Sequence, residues 1–330
     1  MARKKNEMDR AIDRALRYMN AIEGKCPTLT KCGRNLTRLA LQGKLDKVYH
    51  RDTEIINIQK ILLRKSKANV LLTGPAGCGK TAIAEHLAQA LALRMTDLCQ
   101  ELNRADLEYE MDRRAYNDDP GSMEEPTLRE VPRPILSKSV IFDVSLTALV
   151  GGTKYRGEFE ERVQALIAEC KECPQVILFI DEIHQIIKAG ATEGNEGAAQ
   201  MLKPAMARKD ICVIGATTTD EAETIWKDKA FARRFNEIKV LPLIGEKART
   251  TAESIFEDYA KFHDVKVDAT ATAMEILEKI SYFLPKSVFP DNFINVVDET
   301  LAGAKFDGLT EVGMTHFNAV LSRMAGVVIV

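Results

Sequence analysis

The sequence predicts a doubly wound α/β fold, a parallel five-stranded sheet flanked by helices, followed by a small all-helical lid domain. Three observations predict it. Five short aliphatic runs alternate with helical stretches between residues 46 and 242. A glycine-rich turn joins the first run to the helix after it. Beyond Pro242 the strand pattern fades and helical periodicity takes over. A chain of 330 residues is long enough for two packed modules.

Composition narrows the function classes. With 45% hydrophobic and 28% charged residues, the chain fits ordinary globular proteins rather than disordered or fibrous ones. The formal net charge of −2 gives no general pull toward nucleic acid or membrane. No apolar run approaches the roughly 18 residues that suggest a bilayer span. The basic start MARKKNEMDR leads into no apolar stretch, so no secretory signal is read there, and a cytoplasmic setting is expected. The seven cysteines are expected to be reduced thiols. Cys170 and Cys173 form a lone CxxC, short of the four ligands of a structural zinc site.

The elements follow in order. Met8, Ile12, Leu16 and Met19 recur at steps of four and three, which predicts an amphipathic helix over 7–22 packed on the main domain. It lies in an amino-terminal helical segment, 1–45. The α/β domain spans 46–242, with strands at NVLLTG (69–74), SVIFDV (139–144), VILFID (176–181), ICVIGAT (211–217) and NEIKVLPL (236–243). Most are unbroken aliphatic runs, as expected where helices cover both faces of a parallel sheet. The helix at 79–94 places Ile83, Leu87 and Leu91 on one side. Residues 95–136 break the rhythm. They are acidic and carry Pro120, Gly121, Pro126, Pro132 and Pro134, a density that argues against a buried element. Their first half can continue as an exposed charged helix, and the whole reads as a surface insertion. Residues 243–330 form the lid domain, with helices at 246–263, 270–284 and 291–304.

GPAGCGKT at 74–81 fits GxxxxGK[ST], follows a predicted strand and opens a predicted helix, the context that phosphate loop requires. Gly74, Gly77 and Gly79 let backbone N–H groups curl around phosphate oxygens, while Pro75, Ala76 and Cys78 fill the variable positions. The helix N-terminus adds its positive end. Lys80 is placed to reach the β- and γ-phosphates and the Thr81 hydroxyl to hold Mg²⁺. VILFIDEIH at 176–184 supplies a buried strand ending in Asp181 and Glu182. Ligands in open α/β sheets sit at the carboxyl ends of strands, so both carboxylates should face the phosphate loop. Asp181 suits Mg²⁺ coordination and Glu182 suits polarisation of an attacking water. His184 reads as a packed or exposed helix-start histidine.

Other segments resemble one family. GTKYRGEFEERV (152–163) looks like the pore loop of the first ATPase domain of the ClpA, ClpB and ClpC unfoldases. GKLDKVYHRDTEI (43–55) looks like that domain's nucleotide-edge segment. MLKPAMAR (201–208) and IGATTTDEAETIWKDKAFARRF (214–235) resemble its later helix, sensor and arginine segments, and FPDNFINVVDETLAGAK (289–305) its small-domain helix. The likeness runs from about 34 to 325, interrupted by 95–136. It implies an AAA+ P-loop NTPase fold, ATP and Mg²⁺ as ligands, polypeptide substrates and a homo-oligomeric ring, six-membered in the family, with room for an adaptor. It implies that Tyr155, flanked by Lys154 and Arg156, grips substrate in the channel, and that Thr218 senses the γ-phosphate. Arg233 and Arg234 would serve the neighbouring subunit's ATP, and Val48 and Tyr49 would line the adenine pocket. Residues 190–197 sit where the family has a second pore loop, or form a linker.

Departures stand beside the likeness. His50-Arg51-Asp52 replaces the family's GRD, Asn292 stands where lysine is frequent, and no arginine serves as a second sensor. Cys78 places a thiol in the phosphate loop, where oxidation would slow nucleotide binding. A second phosphate loop, a coiled-coil arm and a peptidase-docking loop are not found. The expected function is an ATP-driven motor that threads polypeptides through a ring. The alternative is a nucleotide-gated module that regulates a partner without threading. A nucleic-acid motor would need a basic stripe with stacking aromatics, which the sequence does not supply.

Overall fold

The computed structural model describes residues 2–118, 127, 129–131, 136–150, 156–188, 198–268 and 271–329. Its main sheet contains β1 (Gly33–Asn35), β2 (Asn69–Thr73), β3 (Val140–Val144), β4 (Val176–Ile180), β5 (Cys212–Thr217) and β6 (Phe235–Lys239), in the order β1-β3-β4-β5-β2-β6. The last five pair in parallel, matching the five expected strands. Every residue of β2 and β4 is buried, which explains why neither shows period-two alternation. The edge strand β6 is buried only at Phe235.

The sixth strand was not expected. β1 runs antiparallel to β3, pairing Gly33 with Val144 and Asn35 with Phe142. Its sequence, Gly-Arg-Asn, carries no strand propensity. Tertiary contacts hold it instead. A Cβ at Gly33 would lie 2.7 Å from the Asp143 carbonyl oxygen, so glycine permits the approach. Arg34 reaches across to Asp143 at 2.6 Å.

Helices cover both faces. In chain order they are α1 (Ala2–Lys25), α2 (Pro27–Cys32), α3 (Leu36–Leu41), α4 (Asp52–Leu62), α5 (Lys80–Asp118), α6 (Leu146–Val150), α7 (Arg156–Glu172), α8 (His184–Lys188), α9 (Ala198–Arg208), α10 (Thr219–Lys227) and α11 (Lys229–Ala232). One core gathers Leu71, Phe142 and Leu178 with Met19, Leu166 and Phe231. The other gathers Val70, Leu72 and Phe179 with Ile58, Ile83, Leu87 and Leu91.

The segment read as a surface insertion begins as part of the core. α5 continues for 39 residues, past the expected end at 94. Met95, Leu98, Cys99 and Ala105 are buried on its inner face, and Met95 and Cys99 share a core with Ala11, Ala15, Met19 and Ile22 of α1. Arg14 fastens the pair, donating to Asn103 at 2.9 Å and to Asp106 at 2.6 Å. The charged residues occupy the outer face, so their number alone misled the sequence reading.

After β6 come α12 (Gly245–His263), α13 (Ala273–Phe283), α14 (Asp291–Phe306) and α15 (Met314–Ala325). Phe293, Val296, Leu301 and Phe317, all fully buried, anchor their separate core. These residues are not wholly helical: β7 (Lys266–Val267) pairs in parallel with β8 (Glu311–Val312). Two-residue strands carry no periodicity to read. All seven cysteines are free, and no described helix is long and apolar enough to cross a membrane.

Candidate functional site

The phosphate loop leaves β2 at Thr73 and enters α5 at Lys80. Gly77 and Gly79 take φ of 76° and 88°, values L side chains rarely adopt. Gly74 is fixed by crowding: a Cβ there would fall 2.2 Å from the Val240 carbonyl oxygen. Lys80 is nearly buried, and its ammonium donates to the Gly74 carbonyl at 3.0 Å and the Pro75 carbonyl at 2.8 Å. The Thr81 hydroxyl donates to Asp181 Oδ2 at 2.6 Å. Two residues 100 positions apart therefore meet at the mouth of the loop, as the motifs require.

Asp181 and Glu182 follow the end of β4. Asp181 Oδ1 accepts the Glu182 N–H at 2.8 Å. Glu182 takes φ of 48°, a left-handed value that carries backbone strain in a non-glycine residue, and its carboxylate accepts from Gln185. At the end of neighbouring β5, Thr217 is buried and its hydroxyl contacts His184 Nδ1 at 3.0 Å. His184 is packed, and its Nε2 lies 3.4 Å from Glu221. Thr218 N-caps α10 through a capping box, with its hydroxyl donating to Glu221 at 2.7 Å. Thr218 thus sits at the same end of the sheet as the phosphate loop while also ordering the next helix.

Arg233 and Arg234 lie elsewhere. They precede β6, and β6 pairs with β2 so that Phe235 stands opposite Asn69. The arginines are therefore at the amino end of the sheet, whereas the phosphate loop leaves its carboxyl end. Five strand residues, roughly 16 Å, separate the two levels. Arg233 is exposed, and the buried Nε of Arg234 has no hydrogen-bond partner among the described residues.

A cavity of about 720 Å³ adjoins the loop. Val48, Tyr49 and Arg51 line one side, Cys78 and Ala82 the floor, and Leu243, Thr251, Ile255, Tyr259 and Ile294 the lid side. Its aliphatic and aromatic walls suit a flat heterocycle. The Thr251 hydroxyl is buried with no hydrogen-bond partner among the described residues. His50, in place of the family's glycine, adopts φ of 56°, and its Nε2 contacts the Thr250 hydroxyl at 2.7 Å. The left-handed backbone is thus present without glycine. The Tyr49 hydroxyl donates to Asp258 at 2.9 Å, and burial, then Asp258, pushes its pKa up to about 12. The first residue of α14 touches the loop as well: Asp291 N–H donates to the Gly77 carbonyl at 3.4 Å.

Lys154, Tyr155 and residues 190–197 lie outside the described residues, and Arg156 opens α7. Cys78 is fully buried, and burial pushes its thiol up against the opposing pull of Lys80 and Arg51, contrary to a reactive thiol. Burial, then Cys173, pushes Cys26 up to about 12. No metal-binding cluster of His, Cys, Asp and Glu occurs among the described residues. Sequence reasoning gave no role to Arg51, Glu221 or the lid residues of the cavity, and only the HRD spacing marked the first of these.

The fold has matches among known proteins. The family model described as "ATPase family associated with various cellular activities (AAA)" matches residues 70–243. Among curated proteins, the chloroplastic chaperone protein ClpC2 of Arabidopsis thaliana is 39% identical over 277 residues, 83% of this chain and 25% of that protein. Chaperone protein ClpB of Staphylococcus aureus is 36% identical over 307 residues, 90% of this chain and 31% of that protein. The chain therefore spans about a quarter to a third of these relatives. Among solved structures, the S. cerevisiae Hsp104-ADP complex superposes with a TM-score of 0.71 at 31% identity, covering 91% of this chain and 46% of that one. The S. cerevisiae Hsp104:casein complex in its extended conformation gives 0.69 at 30%, covering 91% and 45%.

Proposed function

The chain belongs to the AAA ATPase family, and from that premise we propose that it is an ATP-hydrolysing ring motor that remodels, unfolds or translocates polypeptides. The observation that carries the reading is the 2.6 Å contact between Thr81 and Asp181 beside Lys80. A hydroxyl and a carboxylate are hard oxygen donors of the kind Mg²⁺ prefers, so these two side chains fit the ion. When bound, Mg²⁺ would supply charge neutralisation at the β- and γ-phosphates. The loop N–H groups and Lys80 hold the phosphates, and Val48 and Tyr49 stand beside the base. Glu182 takes the proton of the attacking water. Thr218 exchanges its Glu221 partner for the γ-phosphate.

Arg233 and Arg234 belong to the site of an adjoining copy, because their own chain holds them at the far end of the sheet. Activity then needs a closed homo-oligomeric ring, six-membered as the family resemblance implies. Lys154, Tyr155 and Arg156 grip the passing chain, where a flat aromatic with a polar tip tolerates many side chains. The solved complex of the related Hsp104 with casein supports a polypeptide substrate. We assign residues 1–45 to an amino-terminal helical segment, 46–242 to the ATPase domain and 243–330 to the lid. We place the protein in the cytoplasm, with an adaptor as a candidate partner.

Two variants test the reading. Glu182→Gln is expected to bind ATP as wild type does and to lose at least about 100-fold in turnover. Tyr155→Ala is expected to keep ATPase activity and lose unfolding of a tagged model substrate. Normal unfolding by Tyr155→Ala would remove Tyr155 as the gripping residue, whereas wild type that hydrolyses ATP and unfolds nothing would leave a nucleotide-gated regulator.

A further inference from the structure

Arg51 is only 4% exposed, and its guanidinium meets two distant segments as well as the helix it precedes. Nη2 donates to the Cys78 carbonyl at 2.7 Å. Nη1 donates to the Leu241 carbonyl at 3.0 Å and to Glu54 Oε1 at 3.0 Å. The same side chain lines the cavity beside the phosphate loop. A charge this deep is tolerated only with its hydrogen bonds made, and two of these partners are backbone atoms of functional segments.

The first contact acts on the phosphate loop. The Cys78 carbonyl and the Gly79 N–H belong to one planar trans peptide and point in opposite directions. Holding the carbonyl toward Arg51 turns the Gly79 N–H to the other side of the loop. Gly79, at φ of 88°, has the backbone freedom to take up other orientations, so its N–H needs an external constraint. The second contact acts on the linker. Leu241 precedes Pro242, which has no N–H, in the short stretch between β6 and α12. One rigid fork therefore holds a phosphate-loop peptide and the start of the lid linker at a fixed separation.

We infer that Arg51 is a positioning residue that couples the phosphate loop to the lid, so that nucleotide at the loop and the setting of α12 report on each other. This rests on the nucleotide reading given above. Lysine cannot replace arginine here, because its single ammonium lacks the two separately placed nitrogens that reach the Leu241 and Cys78 carbonyls. The competing explanation is a buried ion pair with Glu54 that only supports packing.

The test compares wild type, Arg51→Lys and Glu54→Gln. MgADP affinity is measured by calorimetry, and amide hydrogen exchange is followed over 240–252 with and without saturating MgADP. Wild type should bind and show slowed exchange there. Arg51→Lys should bind on the order of tenfold more weakly, the loss expected for one hydrogen bond to a charged group. At saturation it should show no protection of 240–252. Glu54→Gln, which keeps both carbonyl contacts, should match wild type in both readouts.

Should Arg51→Lys not fold, the double variant Arg51→Met/Glu54→Met removes both buried charges at similar volume and should show the same two losses. Retained MgADP protection in whichever Arg51 variant folds overturns the coupling. So does a Glu54→Gln variant as defective as Arg51→Lys, because the ion pair would then be the cause. Failure of wild type itself to bind MgADP removes the nucleotide reading, and the inference goes with it.

Discussion

Tyr49 and Asp258 show how a single contact sets conditions for the fold. The Tyr49 hydroxyl, followed by Lys47, holds Asp258 below its ordinary value of 3.8. A carboxylate lowered in this way stabilises the folded state above that value, and the contribution is lost as pH falls through the lowered one. Asp258 is 43% exposed, so water screens much of the interaction. Tyr49→Phe should therefore cost about 1 kcal/mol at neutral pH in urea unfolding, and the difference should shrink steadily below pH 3.8. An equal cost at acidic and neutral pH would mean that the hydroxyl's contribution does not depend on the charge of Asp258. The pair was invisible in the sequence because 209 positions separate its members. Asp181 and Thr81 are also distant, yet each stands in a contiguous motif whose chemistry can be read locally. His50 lies between these cases: the departure from glycine was visible, but its left-handed backbone and its contact with Thr250 were not.

At the scale of elements, α1 and α5 stabilise one another. Met19 has no exposed surface and packs in the core shared with Met95 and Cys99. Met19→Ala should lower unfolding free energy by about 3 kcal/mol, the usual cost of truncating a fully buried methionine. A change of only a few tenths would mean that α1 is a loosely attached arm. The buried strands β2 and β4 and the start of α5, with Ile83, Leu87 and Leu91 on one side, were legible because pattern and burial coincide there. β1 was not, since its three residues are placed by Asp143 and by close backbone approach rather than by propensity. The exposed charged helix expected in the far half of α5 is present, but Met95, Leu98 and Cys99 before it were misread as surface, because composition counts every face of a helix whereas burial follows only one.

For the whole molecule, the two ends of the sheet have different work. The phosphate loop, Asp181, Glu182 and Thr218 gather at the carboxyl end, and Arg233 and Arg234 stand at the amino end. An Arg233→Ala/Arg234→Ala chain should keep ATP binding and lose about 1,000-fold in turnover. Mixed with Glu182→Gln chains, it should regain measurable ATPase activity, because arginines from one copy would complete an intact carboxylate site on another. Mixtures as inactive as their components would count against a shared site. The division into sheet and helices could be read from pattern, but the cavity could not, because its walls come from segments about 200 residues apart.

The unbroken run of α5 has a mechanical consequence. At 1.5 Å per residue, its 39 residues make a rod of roughly 58 Å, rooted at Lys80. A tilt of about 5° at that root would sweep the opposite tip through roughly 5 Å if the rod stays stiff. Rearrangement around a phosphate group would then be magnified at a surface far from any chemistry, like the pointer of a gauge.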